Sequence, residues 1–147
     1  MEVKTAARMA QELRAAGFTV TEGVGGTGVV AVMENGPGPM VMMRADMDGL
    51  PLEEKSGLSN ASTVRQERGK DDIVPVMHAC GHDVHMTSLV GTARIMSGSR
   101  EKWSGTLMLI GPPVAPHHSP LFKIEPEDSI TFGVEATVIA LRELLQE

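Results

Sequence analysis

The stretch "PMVMMRADM", residues 39–47, decides the fold. It is a nearly continuous apolar run bounded by Pro39 and by charged residues, which is typical of a buried strand. The run "GTLMLIG" at 105–111 has the same character. Buried strands need other elements to cover them, so we expect helices packed against both runs.

Helical periodicity occurs in three segments outside these strands. Residues 2–16 carry apolar side chains at helical spacing, and Gly17 follows as a stop signal. "DVHMTSLVGTARIM" predicts a second helix with Asp83 as its N-cap, and 127–146 predict a third. Two β-rich runs, "FTVTEGV" and "GVVAVMEN", flank a glycine turn, and 52–73 form a polar loop that leads into a hairpin. Helices that alternate with strands predict the α/β class.

The glycine turn "GVGGTG", at 23–28, matches the G-x-G-x-x-G pattern of dinucleotide sites. Such a site needs a helix directly after the glycines. The residues that follow, "VVAVM", are typical of a strand. The segment therefore favours a hairpin turn over a nucleotide site.

Composition and charge exclude several classes of partner. The formal net charge is −6, and acidic and basic residues are interspersed, which argues against a nucleic-acid or anionic-membrane surface. No stretch approaches the ~20 apolar residues of a membrane span, and the N-terminus lacks the apolar run of a signal peptide. We therefore expect a cytoplasmic protein. The 11 methionines and the absence of tyrosine predict a soft, aliphatic core.

The segment "VPVMHACGHDVHM", at 74–86, concentrates metal-capable side chains. Cys80 and His82 are separated by one glycine, so both can face one point. His78 precedes Cys80 by two residues, and His85 follows His82 by about one helical turn. Two other interpretations stay open here. One is a buried free cysteine beside hydrogen-bonded histidines, and the other is a thiol nucleophile activated by a histidine.

Four acidic residues lie at or shortly after the carboxyl end of the predicted strand at 39–47. Asp46 and Asp48 lie two residues apart at its carboxyl end, where period-2 geometry points both to the same side. An aspartate turn that merely ends the strand is the alternative. Glu53 and Glu54 are interpreted as a solvated pair in a loop.

A second histidine cluster lies far downstream in the proline-flanked segment "APHHSP". It consists of His117 and His118. If the fold brings this pair to Cys80 and His82, the number of ligands reaches three, which is the minimum for a metal site.

Four segments together resemble the M20 metallopeptidase clan: "RADMDGLPLEE", "VMHACGHDVHMTSLVGTARIM", "SGTLMLIG" and "APHHSPLFKIEPEDSI". The similarity is to amidohydrolases that cleave N-acyl amino acids, including hippurate and indole-acetyl amino acid hydrolases. It implies a reduced three-layer α/β/α sandwich, a shortened form of the zinc-peptidase-like catalytic domain. It also implies a two-metal centre, with manganese or zinc, that activates a water against an amide carbonyl.

The resemblance further implies roles for individual residues. Cys80 and His82 match metal ligands of the family, and His118 matches the histidine of its "H-S/N-P" element. Asp48 matches the segment that supports the metal site and is the candidate orienting carboxylate. Further candidates to complete the metal shell are Asp46, His78, His85 and His117.

The sequence departs from the family pattern after Gly111. The family continues there into "QPAEE", which supplies the general base and a metal ligand, whereas this chain continues into "PPVAPHHSP". Relative to the family, we also expect a lid domain and a leading helix to be missing. We therefore expect one truncated catalytic domain over 1–147, in which an N-terminal part, 1–111, joins a C-terminal part, 112–147. Loss of a general base costs ~10²- to 10⁴-fold in rate, so we expect weak or no activity.

Functions from other classes stay open. A catalytically dead fragment would act only as a structural or binding module, and Cys80 with a histidine would act as a metal-free thiol catalyst. The expected substrate is an N-acyl amino acid or a peptide-like molecule. Because the strands at 39–47 and 105–111 should have incomplete neighbours, we also expect self-association through an exposed sheet edge.

Overall fold

The fold is known from a computed structural model that describes residues 2–111 and 126–145. The elements follow in this order: α1 Val3–Ala15, β1 Thr19–Val24, β2 Gly28–Asn35, β3 Met40–Arg44, β4 Arg65–Gly69, β5 Asp72–Pro75, α2 His82–Gly98, a short 3-10 turn Arg100–Lys102, β6 Gly105–Gly111 and α3 Pro126–Leu144. This order confirms the α/β class and the three predicted helices. The predicted turn and hairpin are also present, as β1–β2 and β4–β5.

Within the described residues, four strands form the main sheet in the order β1-β2-β6-β3. The β1–β2 and β2–β6 pairs are antiparallel, and the β3–β6 pair is parallel. β6 therefore has a neighbour on each side, and the expectation that it would lack one is wrong. β3 lies at the edge of the sheet, as that expectation requires.

All three helices contribute side chains to one core against a single face of the main sheet. Leu107 and Leu109 of β6 are fully buried in this core, with none of their surface exposed. The helices supply most of its other members: Ala6, Met9, Ala10, Leu13, Met86, Leu89, Ala93, Met96, Val138 and Leu141. Residues 2–111 and 126–145 thus provide a sheet and one helical layer of the expected sandwich.

The opposite face of the sheet carries a row of less buried apolar side chains. Val32, Met108 and Met42 lie side by side across three strands. Met42 is 59% exposed, and Met40 on the same face is 67% exposed. Within β3 only Val41 and Met43 pack against the core, so the prediction of a buried strand is wrong for 40–44, whereas Ala45 and Met47 directly after it are buried. A continuous apolar run does not by itself say whether one face or both are covered.

The predicted end of α1 is confirmed, whereas the predicted start of α2 is wrong. Gly17 adopts the left-handed conformation, with φ +87°, directly after α1, as predicted for a helix stop. At α2 the N-cap is Gly81, with φ +73°, and Asp83 lies in the first turn. The prediction of Asp83 as the N-cap is wrong.

No helix in the described ranges combines the length and apolar character needed to cross a membrane.

Candidate metal centre

Two chain segments meet at the carboxyl end of β3. The backbone of Leu50 and that of Met77 exchange two hydrogen bonds, of 2.8 and 3.1 Å from N to O. Beside this bridge, a Cβ atom on Gly49 would lie 2.7 Å from Cγ1 of Val76, so the two segments are in direct contact. The bridge fixes the segment with Asp46 and Asp48 against the segment that leads into α2.

Gly81 determines where α2 begins. Its left-handed conformation turns the chain so that His82 is the first helical residue. Glycine adopts this conformation at little cost because it has no Cβ. His82 is consequently buried near the start of the helix, with 6% of its surface exposed. Asp83, in the first turn, is well placed to interact favourably with the positive end of the helix dipole.

Asp48 contacts one nitrogen of the His82 ring. Its Oδ1 lies 2.7 Å from Nδ1 of His82, and both side chains are only 7% exposed. The carbonyl oxygen of Asp48 lies 3.4 Å from the same nitrogen. Despite the short distance, Oδ1 makes no hydrogen bond of good geometry within the described residues. A buried carboxylate oxygen in this situation favours a nearby positive charge.

Asp46 approaches the other nitrogen of the same ring. Its Oδ2 lies 3.9 Å from Nε2 of His82. The guanidinium of Arg44 holds the second carboxylate oxygen, with Nε and Nη2 at 2.8 and 2.7 Å from Oδ1. The two aspartates therefore reach one imidazole, and each approaches a different nitrogen.

Three further candidate residues in the described ranges lie near this centre. Cys80 is a half-buried free thiol, and its burial, followed by the charges of Asp48 and Asp46, raises its pKa. Nδ1 of His78 lies 3.1 Å from the carbonyl oxygen of Asp48. The ring of His85 is centred 5.6 Å from that of His82.

Comparison with known proteins places this geometry in a family. The family described as Peptidase family M20/M25/M40 matches residues 42–137. The chain belongs to this family. The match includes the segments that carry Asp46, Asp48, Cys80 and His82.

Relatives of the M20 chain include enzymes with different names. Thermostable carboxypeptidase 2 of Saccharolobus solfataricus is 41% identical over 114 residues, which are 76% of this chain and 27% of that protein. Hippurate hydrolase of Campylobacter jejuni is 40% identical over 109 residues, which are 74% of this chain and 26% of that protein. The chain thus spans about a quarter of the length of these curated relatives.

A solved structure also matches the M20 chain. The crystal structure of the Bacillus subtilis YXEP protein, a dinuclear metal binding peptidase from the M20 family, superposes with a TM-score of 0.65. The two are 33% identical, and the match covers 78% of this chain and 30% of that one. This similarity agrees with the α/β fold described above.

The donors around His82 are of types that bind divalent metal ions. A thiol, an imidazole and a buried carboxylate oxygen are the groups that bind zinc and related divalent ions. Within residues 2–111 and 126–145, however, no three His, Cys, Asp or Glu side chains form a metal-binding group. His117 and His118 lie outside the described residues. A full ligand set would therefore need donors beyond those described.

The sequence interpretation missed the role of Glu54. Glu53 is 64% exposed, as expected of a solvated residue. Glu54 is instead half-buried and accepts hydrogen bonds from the hydroxyl of Ser56 and the backbone N–H of Ser62. These two bonds lower the pKa of Glu54. Ser56 and Ser62, two and eight residues after Glu54, were the only sequence signal for these hydrogen bonds. Their spacing matches no helical or strand periodicity, so it did not indicate a contact.

Proposed function

We propose that this chain carries the metal-binding part of an M20 amidohydrolase that acts on the amide bond of N-acyl amino acids or small peptides. The observation that carries the proposal is the buried imidazole of His82 between Asp48 and Asp46, two residues after Cys80 in the chain. Relatives named hippurate hydrolase, IAA-amino acid hydrolase and carboxypeptidase support amides as the substrate class.

In this proposal Cys80, His82 and His118 hold the ion. A histidine that binds a metal commonly donates its other ring N–H to a carboxylate or a carbonyl, which fixes the ring and its tautomer. The carbonyl oxygen of Asp48 is the hydrogen-bond acceptor for Nδ1 of His82, at 3.4 Å, and the charged Oδ1 lies 2.7 Å from the same nitrogen. With the proton on Nδ1, the lone pair of Nε2 is directed toward the side where Asp46 lies. When bound, manganese or zinc supplies Lewis acidity that polarises an amide carbonyl and a water.

Proton transfer is the weak point of the proposed chemistry. Arg44 holds Asp46, and the ring of His82 contacts Asp48, so both carboxylates beside this imidazole are engaged. The more exposed of the two, Asp46, would have to leave Arg44 before it could accept a proton from water. We therefore expect slow hydrolysis. Its rate should be lower than that of an efficient enzyme by the ~10²- to 10⁴-fold that a general base contributes.

The test combines metal content with hydrolysis of hippurate, a benzoyl amide of glycine. The purified chain should retain manganese or zinc after dialysis, and Cys80→Ala and His82→Ala should not. Retention without turnover would favour the binding-module alternative. Turnover near ~10 s⁻¹ that vanishes in Cys80→Ala would refute the expectation of weak activity. A wild-type chain that retains neither ion would refute the proposal itself.

The metal-free thiol catalyst receives no support from the site. A catalytic cysteine needs a depressed pKa, because the thiolate is the nucleophile. Burial and the two neighbouring aspartates raise the pKa of Cys80 instead. Alkylation of the metal-free chain by iodoacetamide should accordingly be slower than that of a free cysteine in solution.

Self-association stays a prediction. β3 is an edge strand, and Met40 and Met42 are largely exposed, which supports this strand as the contact. We expect light scattering to show concentration-dependent growth in mass that Met42→Lys reduces. A monomer at all concentrations would contradict the prediction.

A cytoplasmic location and the lack of nucleic-acid or membrane partners also stay predictions. The interspersed charges support them, since cationic side chains such as Arg44 and Arg94 are paired with carboxylates. Cell fractionation checks the location, and a mobility-shift assay with duplex DNA checks the nucleic-acid part.

A further inference from the structure

Glu54 occupies a different environment from the adjacent carboxylate. Its Oε1 accepts a hydrogen bond of 2.6 Å from the hydroxyl of Ser56, and its Oε2 accepts one of 2.7 Å from the backbone N–H of Ser62. Ser56 is only 2% exposed, so its hydroxyl would be costly to leave without a partner. Glu53, by contrast, has the ammonium of Lys55 at 3.7 Å and is 64% exposed.

Ser62 connects Glu54 to the segment that leads into α2. The hydroxyl of Ser62 donates a hydrogen bond of 2.6 Å to the carbonyl of Val76. The backbone N–H of Val76 donates in turn to the carbonyl of Val64, at 2.9 Å. The loop closed by Glu54 is therefore bonded to the residue directly before Met77.

Met77 and Val76 form the junction between the two site segments. Met77 makes the paired backbone bonds with Leu50, and Val76 lies against Gly49. The chain continues from Met77 into Cys80 and His82, and it runs back from Gly49 into Asp48. A displacement of Val76 would thus shift the segment that carries Cys80 and His82 relative to the segment that carries Asp48.

We propose that Glu54 is a positioning residue for the candidate metal site. In the described ranges its hydrogen-bond partners are Ser56 and Ser62, and it acts through Ser62 and Val76. The inference rests on the proposed function, since it assumes that Cys80 and His82 bind an ion. Groups hydrogen-bonded directly to a metal ligand commonly affect metal affinity by ~10- to 100-fold, and Glu54, which acts one step further out, should have an effect at the lower end of that range.

Three substitutions separate the hydrogen-bonding role of Glu54 from the size of its side chain. Glu54→Met keeps an unbranched side chain but removes both acceptor oxygens. Glu54→Gln keeps one acceptor oxygen for the N–H of Ser62. The NH₂ group of the new amide can donate to the hydroxyl oxygen of Ser56, because a hydroxyl can accept as well as donate. Glu53→Met is the matched control, because it makes the same chemical change at the adjacent, exposed position.

The experiment is calorimetric titration of the full chain with Zn²⁺ and Mn²⁺, well below the unfolding temperature of each variant. We expect Glu54→Met to weaken binding by ~10-fold or more, Glu54→Gln to restore most of the affinity, and Glu53→Met to bind like wild type. Ser62→Ala, which removes only the bond to Val76, should weaken binding in the same direction. It also serves as the test if Glu54→Met does not fold.

The possible results separate the two proposals. If Glu54→Met loses thermal stability but binds the ions as wild type does, Glu54 is merely structural and this inference is overturned. The same holds if Glu53→Met weakens binding equally. If the wild-type chain binds neither ion, the proposed function fails and the inference fails with it.

Discussion

Two clusters of buried apolar side chains in the described part of the chain differ in size and in what supports them. The main core joins three helices to one face of the sheet. The second cluster lies under the candidate site and contains three buried residues, Leu50, Met77 and Ala79. Burial of a large apolar side chain contributes about 1.5–3 kcal/mol, so three residues give little reserve. The site segments therefore depend on hydrogen bonds and close backbone packing in a way that the main core does not.

The largest effect should come from the main core. Leu109→Ala removes a fully buried side chain of β6 and leaves a cavity, so we expect a loss of about 2–5 kcal/mol in unfolding free energy. Met42→Ala, on the open face of the same sheet, is the control and should cost far less, because Met42 is 59% exposed. Urea unfolding of both variants measures the difference. Equal losses would mean that the two faces of the sheet are equally covered.

The second prediction concerns the fit between the site segments. Gly49→Ala places a methyl group 2.7 Å from Cγ1 of Val76, whose branched side chain has little rotamer freedom. We expect a loss of about 1–3 kcal/mol in unfolding free energy from overpacking. Unlike Leu109→Ala, this variant should also bind Zn²⁺ more weakly while folded. An unchanged affinity would show that the ligands tolerate movement of these segments.

The third prediction follows from the pKa of Glu54. Hydrogen bonds from Ser56 and Ser62 lower this pKa below the ordinary value of 4.5. The carboxylate thus stabilises the folded chain above pH 4.5, and this contribution is lost as the pH falls through the lowered value. The difference in unfolding free energy between wild type and Glu54→Met should therefore shrink in acid. A difference that is constant with pH would contradict this explanation.

The smallest effect should come from the β4–β5 hairpin. Arg68 and Asp72 form an exposed ion pair there, with 55% and 46% of their side chains accessible. Such pairs contribute about 0–1 kcal/mol. Arg68→Ala should change neither the unfolding free energy beyond that range nor the affinity for Zn²⁺. A large change in affinity would indicate that the hairpin contributes to the site.

The sequence predicted those elements whose periodicity is strong. α1, α3 and the two hairpins follow from apolar spacing and turn residues alone. The exposure of β3 could not be predicted, because an apolar run is compatible with one covered face or two. The N-cap of α2 was misassigned because the preference for aspartate at an N-cap was outweighed by the left-handed conformation of Gly81.

The candidate site was predictable in part. The resemblance to the M20 clan implied that Asp48 supports the site of His82, whereas the motifs alone left this open; the structure brings the two side chains within 2.7 Å. The contribution of Glu54 was not predictable, since it depends on a loop conformation that brings Ser62 back to it. The roles of His117 and His118 stay predictions, because both residues lie outside the described ranges.

Cobalt substitution tests the central claim most directly, because thiolate coordination to Co²⁺ produces a charge-transfer absorption band in the near ultraviolet. We predict that the wild-type chain develops this band on titration with Co²⁺ and that Zn²⁺ abolishes it by competition. Cys80→Ala should show no band, and His82→Ala should require a much higher Co²⁺ concentration. A wild-type chain without the band, or a His82→Ala variant that titrates like wild type, would contradict a metal site shared by Cys80 and His82.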